Sequence, residues 1–304
     1  MWALTTVFLD RVAVAAEVQT VDPGPGGLAD RLAPADDADL VLVYGGERDG
    51  EIGTCGCGRA GGLPRLATYV AAVRDAGRPA LVLDVGSFLA SVGAAGQLSD
   101  WSRTMNDGYH RALTELRFDA FNVSYRDLPG AVGAGHPGYV SATHRPAQGP
   151  VARYKSFQAG ALQVAVTGVS RDGLATLQPP MAAVVRPVEA VRGLLPELEA
   201  HDVVVVMAYE VPSAEVRAIA QLPGVDVVIE AGGFDARWPA SVEGEAVWVR
   251  SLTDGVRAGE LRLWVDGGRV VRAVDRQVPL DDGLPAHPRL DRLEREQDRL
   301  TAPE

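Results

Sequence analysis

Gly53–Thr68 reads G-T-C-G-C-G-R-A-G-G-L-P-R-L-A-T, and it follows closely on the apolar run Leu40–Tyr44, which ends at Gly45-Gly46. A continuous apolar run bounded by glycines reads as a buried strand. A glycine-rich loop then carries the chain's two cysteines, Cys55 and Cys57, and a helix opens on Gly61-Gly62-Leu63-Pro64. Leu63, Leu66, Ala67, Val70 and Val73 recur at helical spacing until Gly77 stops the pattern. Strand, loop and helix in this order mark a layered α/β protein, in which the loops at the carboxyl ends of strands are where sites are built.

Outward from this stretch the alternation continues. Ala80–Val85 reads as a strand, Trp101–Leu116 as a helix and Asp119–Val123 as a strand. In the second half, Val151–Phe157 and Leu162–Val169 read as a hairpin turning on Ala159-Gly160. Val188–Ala200 reads as a helix, Asp202–Ala208 as a very apolar strand, Ser213–Ala220 as a helix and Val225–Ile229 as a strand. Ala246–Val249, Gly259–Val265 and Val270–Val274 read as an antiparallel meander, the last two joined by Asp266-Gly267-Gly268. Pro288–Leu300 is a charged helix with Leu290, Leu293 and Leu300 on one side. Two blocks of βα units, each ending in strands, predict two mixed sheets packed face to face with helices outside, a four-layer α/β/β/α sandwich. Residues 1–27 read as an N-terminal segment, a leader remnant or linker ending in V-D-P-G-P-G-G, residues 28–280 as the domain and 281–304 as a helical tail.

Of 304 residues, 47% are hydrophobic, so a large core can be buried. No apolar run reaches the roughly 18 residues of a membrane span. A formal net charge of −11 argues against nucleic acid as a partner, because neutralising phosphates needs clustered Lys and Arg.

Six phrases, in order, resemble the metallophosphatase domain of the 5′-nucleotidase and UDP-sugar hydrolase family. Gly61–Thr68 resembles its G-G-L-A-R-L-A-T, Leu81–Leu89 its L-L-L-D-A-G-D-F-L, and Phe118–Asp127 its Y-D-A-x-x-x-G-N-H-E. His201–Tyr209 resembles D-V-V-V-V-L-S-H, Gly224–Gly233 resembles G-I-D-V-I-I-G-G-H-S-H, and Gly255–Leu263 resembles the closing strand. The resemblance implies the calcineurin-like phosphoesterase fold and, in the family, two metals about 3.5–4 Å apart that activate water and clamp a phosphoryl group. It also places the family's ligand positions on this chain. They fall on Gly46 and Arg48 in the first loop, on Ser87, on Tyr125 and Arg126 with Asp127 after them, on Tyr209, and on Gly232 and Phe234. Glycine and phenylalanine cannot ligate a divalent cation, and arginine adds repulsive charge. The five histidines, His110, His136, His144, His201 and His287, lie elsewhere. The expected reading is a degenerate member without phosphatase activity and with no cofactor, the alternative being a phosphoester or nucleotide hydrolase with a remodelled site.

A cysteine-pair branch of the family is also matched by Gly53-Thr54-Cys55-Gly56-Cys57 and by Asn122–Leu128. That resemblance implies an extracytoplasmic, periplasmic or cell-envelope setting, with protein partners in an electron-transfer or respiratory complex, cytochromes among them. Three readings of the pair stay open: two thiolates for a soft ion such as Cu(I) or Zn(II), a reducible C-x-C disulfide, or two small residues filling a tight loop. Arg48, Arg59, Arg65 and Arg126 should crowd near the former metal pocket, either to bind an anion or to pair with Asp84, Asp127 and Glu210. Glu210 and Glu230 each end an apolar strand and could face one cleft.

Overall fold

A computed structural model describes residues 16–53, 60–91, 98–134, 136–146, 149, 151–173, 182–232, 239–252 and 255–302. Among these described residues, two large mixed sheets lie face to face. The first has seven strands, in the order β1 (Glu17–Val21), β15 (Arg269–Pro279), β14 (Arg257–Asp266), β2 (Leu40–Gly45), β3 (Ala80–Asp84), β4 (Ala120–Asn122) and β5 (Tyr139–Val140). The second has six: β12 (Ser241–Glu243), β13 (Ala246–Arg250), β11 (Val227–Ala231), β10 (Val203–Tyr209), β8 (Leu162–Ser170) and β7 (Tyr154–Ala159). A small ribbon pairs β6 (His144–Pro146) with β9 (Ala182–Val184). The predicted four-layer sandwich is the fold observed.

Helices α1 (Leu28–Arg31), α2 (Leu63–Asp75), α3 (Asp100–Leu116), α4 (Leu128–Ala134) and α8 (Pro288–Thr301) belong to the first sheet's half, and α5 (Pro187–Arg192), α6 (Leu195–Leu198) and α7 (Ser213–Ala220) to the second's. Each central strand is buried on both faces, and the period-2 alternation divides it between two cores. In β2, Val41 and Val43 pack with α2 and α3, while Leu40, Leu42 and Tyr44 face the other sheet. In β10, Val203, Val205, Met207 and Tyr209 face the inter-sheet layer, while Val204, Val206 and Ala208 pack with α5 and α7. Burying a side chain of this size contributes about 1.5–3 kcal/mol, so register is strongly held.

The predicted meander is corrected. β13 pairs in parallel with β11 and antiparallel with β12, whereas β14 and β15 form a hairpin in the first sheet. Val247 and Val249 enter the inter-sheet core from one side and Leu261 and Leu263 from the other, so both faces of that core need a strand here. The hairpin turns on Gly267 and Gly268 at φ 58° and 71°, the paired positive φ of a tight two-residue turn. The single helix expected over Val188–Ala200 is two short ones, since Pro196 lacks the N–H that would carry the ladder past Gly193. Glu17–Val21, within the segment read as a leader remnant or linker, is an edge strand parallel to β15.

Helix α8 is laid on α2 and α3. Leu290 is fully buried and Leu293 packs at the core's edge, but Leu300 is exposed. Gln297, also buried, donates to the carbonyls of Gly50 and Met105 (2.8 and 3.0 Å) and accepts from the Ile52 N–H (3.0 Å). This ties the loop after β2 to the helices.

Candidate functional site

The carboxyl ends of β2, β3, β4, β8, β10 and β11 meet along one rim, and the loops leaving them are cross-linked by backbone bonds. Glu47 N–H donates to Gly86 O (2.9 Å), and Arg48 and Asp49 N–H both donate to Ser87 O (2.8 and 2.9 Å). Ser87 adopts φ 56°, a left-handed conformation uncommon for a serine. It is held there by its N–H on Asp127 Oδ2 (3.0 Å) and its hydroxyl on Asp49 Oδ1 (2.7 Å). Asn122 ties the two sheets together. Its Nδ2 donates to Val85 O of the first sheet's β3 loop and to Val169 O of β8 (2.8 and 2.9 Å). A Cβ on Gly168 would stand 2.2 Å from Asn122 Oδ1, so only glycine leaves room for that amide.

On the first sheet's side the centre is Arg48 and Asp84, both buried. Arg48 Nε lies 3.8 Å from Asp84 Oδ2, within ion-pair range but too far for a hydrogen bond. The guanidinium is seated against two glycines: a Cβ would stand 2.9 Å from Nη2 at Gly45 and 2.4 Å from Nη1 at Gly255. Burial pushes the Asp84 carboxyl up to about 7, against the opposing pull of Arg48. Asp127 accepts from the N–H groups of Ser87, Leu89 and Ser124 (3.0, 2.9 and 3.0 Å) and from the Ser124 hydroxyl. Burial nonetheless raises it to about 6.

On the second sheet's side the centre is Glu210. Its Oε2 accepts from the Tyr125 hydroxyl and from Arg171 Nε, both at 2.6 Å. Its Oε1 accepts from the Tyr209 hydroxyl at 3.3 Å and pairs with Arg126 at 3.5 Å. Burial would raise the Glu210 carboxyl, but the bonds from Tyr125 and Arg171 outweigh it and leave it below its ordinary value. Arg171 lies 4.8 Å over the Tyr125 ring, and Arg126 lies 6.0 Å from the same ring. Glu230 takes Trp248 Nε1 on one oxygen (3.0 Å) and Arg250 Nη2 on the other (2.8 Å). Gly232 follows at φ 91°, where a Cβ would stand 2.5 Å from Glu210 Cγ. Glu210 therefore fills the space a side chain at 232 would need.

The expected residues are thus placed as follows. Gly46, Arg48, Ser87, Tyr125, Arg126, Tyr209 and Gly232 all sit on this rim. Cys55, Cys57, Arg59 and Phe234 lie outside the described residues. The arginines separate: Arg48 goes to Asp84, Arg126 to Glu210, and Arg65 to Asp282 (3.3 Å) beside the start of α8. Asp127 is held by backbone N–H groups rather than by an arginine. Glu210 and Glu230 do face one shallow cleft, of about 410 Å³. Sequence reasoning missed Arg171 and Arg250, which line the same cleft. The signal was present, since each follows an apolar strand run as Glu210 and Glu230 do.

Among the described residues, no three His, Cys, Asp or Glu side chains converge as a metal centre would require. The described positions that the resemblance assigns to metal ligands carry guanidinium, phenol, hydroxyl or no side chain, and so do not fit a pair of divalent cations.

No protein-family model and no curated protein matches the sequence. Solved structures do match. A 5′-nucleotidase precursor from Thermus thermophilus is 18% identical with a TM-score of 0.69, over 86% of this chain and 58% of that one. The sulfate thiohydrolase SoxB from Thermus thermophilus gives 15% identity and TM-score 0.69, over 88% and 62%. The NAD nucleotidase NadN from Haemophilus influenzae gives 12% and 0.64, over 86% and 60%. The fold is that of the metallophosphatase-type 5′-nucleotidases, and the chain spans about three fifths of the length of these neighbours. Among the described residues no helix is long and apolar enough to cross a membrane.

Proposed function

We propose that this chain is a metallophosphatase-like domain that works without the two-metal hydrolytic centre, as a binding or assembly module of the bacterial cell envelope. The observation that supports this most is the buried Arg48 guanidinium, 3.8 Å from Asp84, on the rim where the family's chemistry stands. A fixed cation in that place opposes a divalent ion, and Tyr125, Arg126 and Tyr209 are committed to Glu210 instead. Without metal-activated water, a shift of the water pKa by many units is lost. The envelope setting, and association with an electron-transfer complex through cytochrome partners, rest on the cysteine-pair resemblance.

The test is metal analysis of the purified protein with nucleotidase assays in Mn, Co, Zn and Mg. The expected result is no hard divalent ion bound and no turnover above background. Metal-dependent hydrolysis of a nucleotide at about 1 per second or more would overturn the proposal in favour of a hydrolase with a remodelled site. One soft ion bound per chain, lost in a Cys55→Ser/Cys57→Ser variant, would instead assign the chain a thiol or metal-handling role.

A further inference from the structure

The cleft between Arg171, Glu210, the start of α7 and Arg250 has a donor–acceptor balance that selects its ligand. Its walls are Arg171, Glu210, Val211, Pro212, Ala231 and Arg250, with Glu230 on the floor. Every oxygen of its two carboxylates already holds a donor. Glu210 has the Tyr125 hydroxyl and Arg171 on one oxygen and the Tyr209 hydroxyl on the other. Glu230 has Trp248 on one and Arg250 on the other. The carboxylates are thus already turned to donors of the protein itself. Glu210 is shared by two guanidiniums, those of Arg126 and Arg171. Among the described residues two guanidiniums thus crowd one carboxylate here, in a protein whose net charge is −11.

Arg171 is also preorganised. It spends Nε on Glu210 and Nη2 on the Tyr125 hydroxyl (2.8 Å), and its Cζ lies over the Tyr125 ring, 4.8 Å from the centroid. Nη1 makes neither bond. A surface arginine ordinarily loses much side-chain freedom on binding, but here a cation–π contact and two bonds already restrict it. The side chain is still 48% exposed, so it can be reached from solvent.

We propose that this cleft binds a small oxyanion, a phosphate or carboxylate group, on Arg171 with Arg250 behind it and without a metal. The space of about 410 Å³ suits a small molecule carrying that group, with Val211, Pro212 and Ala231 to receive its apolar part. The proposal rests on the reading above in one respect: no metal pair stands beside Arg126 to change the charge balance.

The experiment is calorimetric titration of the whole chain in EDTA, with inorganic phosphate in one arm and succinate in the other. Saturable binding at about 1 mM or tighter is expected in at least one arm. It should weaken with added salt and fall at least about tenfold in Arg171→Ala. The tighter arm distinguishes a phosphate ligand from a carboxylate one. Arg171→Lys, which keeps the charge but loses the planar fork, should recover only part of the affinity. Absence of saturable binding in both arms overturns the proposal, as does undiminished affinity in Arg171→Ala. Metal-dependent nucleotide turnover alongside intact binding in EDTA would overturn the non-metal reading alone.

Discussion

The two sides of the strand-end rim handle their arginines in opposite ways. On the first sheet, Arg48 is sealed between Gly45 and Gly255 beside a carboxyl that burial drives up to about 7. On the second, Arg171 is half-exposed over Tyr125, beside a carboxylate whose neighbours bring it below its ordinary value. The same pair of residue types therefore serves two ends. A buried arginine–carboxylate pair is poorly solvated, so its worth lies in not being broken. An open pair with surplus guanidinium is cheap to rearrange and can receive a ligand.

The largest effect should come from breaking the sealed side. Arg48→Met keeps the bulk but leaves Asp84 buried without its counter-charge. A loss of about 3–5 kcal/mol in urea unfolding is expected, tempered as Asp84 takes up a proton. A change below about 1 kcal/mol would mean that the pair is not held together in solution.

The pH dependence of Asp84→Asn sharpens the contrast. The folded Asp84 carboxyl titrates near 7 and the unfolded one near 3.8, so between these values the folded state holds more protons. Stability from this group is therefore present at low pH and declines as pH rises from about 4 to about 7. Asp84→Asn removes that decline, so relative to the parent chain the variant should fare better at pH 8 than at pH 5. A variant-to-parent difference that is flat, or of opposite slope, over this range would show that Asp84 is ionised throughout.

The smallest effect belongs to the open side. Arg171→Ala should change unfolding free energy by no more than about 1 kcal/mol, as for other exposed ion pairs. A loss comparable with that of Arg48→Met would mean that Arg171 is structural, and the two sides would no longer differ in kind.

Much of the fold was readable because the buried strands are continuous apolar runs: Leu40–Tyr44, Ala80–Val85 and Asp202–Ala208 are strands in the structure. The meander was misplaced because Ala246–Val249 is apolar on both faces, so nothing local says which sheet takes it. Glu210 and Glu230 could be read as cleft residues because a charge ending an apolar strand has to leave the core at that strand's end. Arg171 and Arg250 carry the same signal, but no family phrase drew attention to them.

By itself, the sequence determined the layered α/β architecture, the order of its elements and the chemical types standing at the strand ends. These depend on local periodicity, on glycine and proline, and on side-chain identity. Tertiary structure alone decided which arginine meets which carboxylate, which pair is sealed and which is open. Those outcomes depend on burial and on contacts between residues far apart in the chain, such as Arg48 with Gly255 and Arg171 with Tyr125. The same guanidinium and carboxylate groups interact several-fold more strongly in a poorly solvated interior than at a wet surface, and only the packed fold sets which of the two each pair occupies.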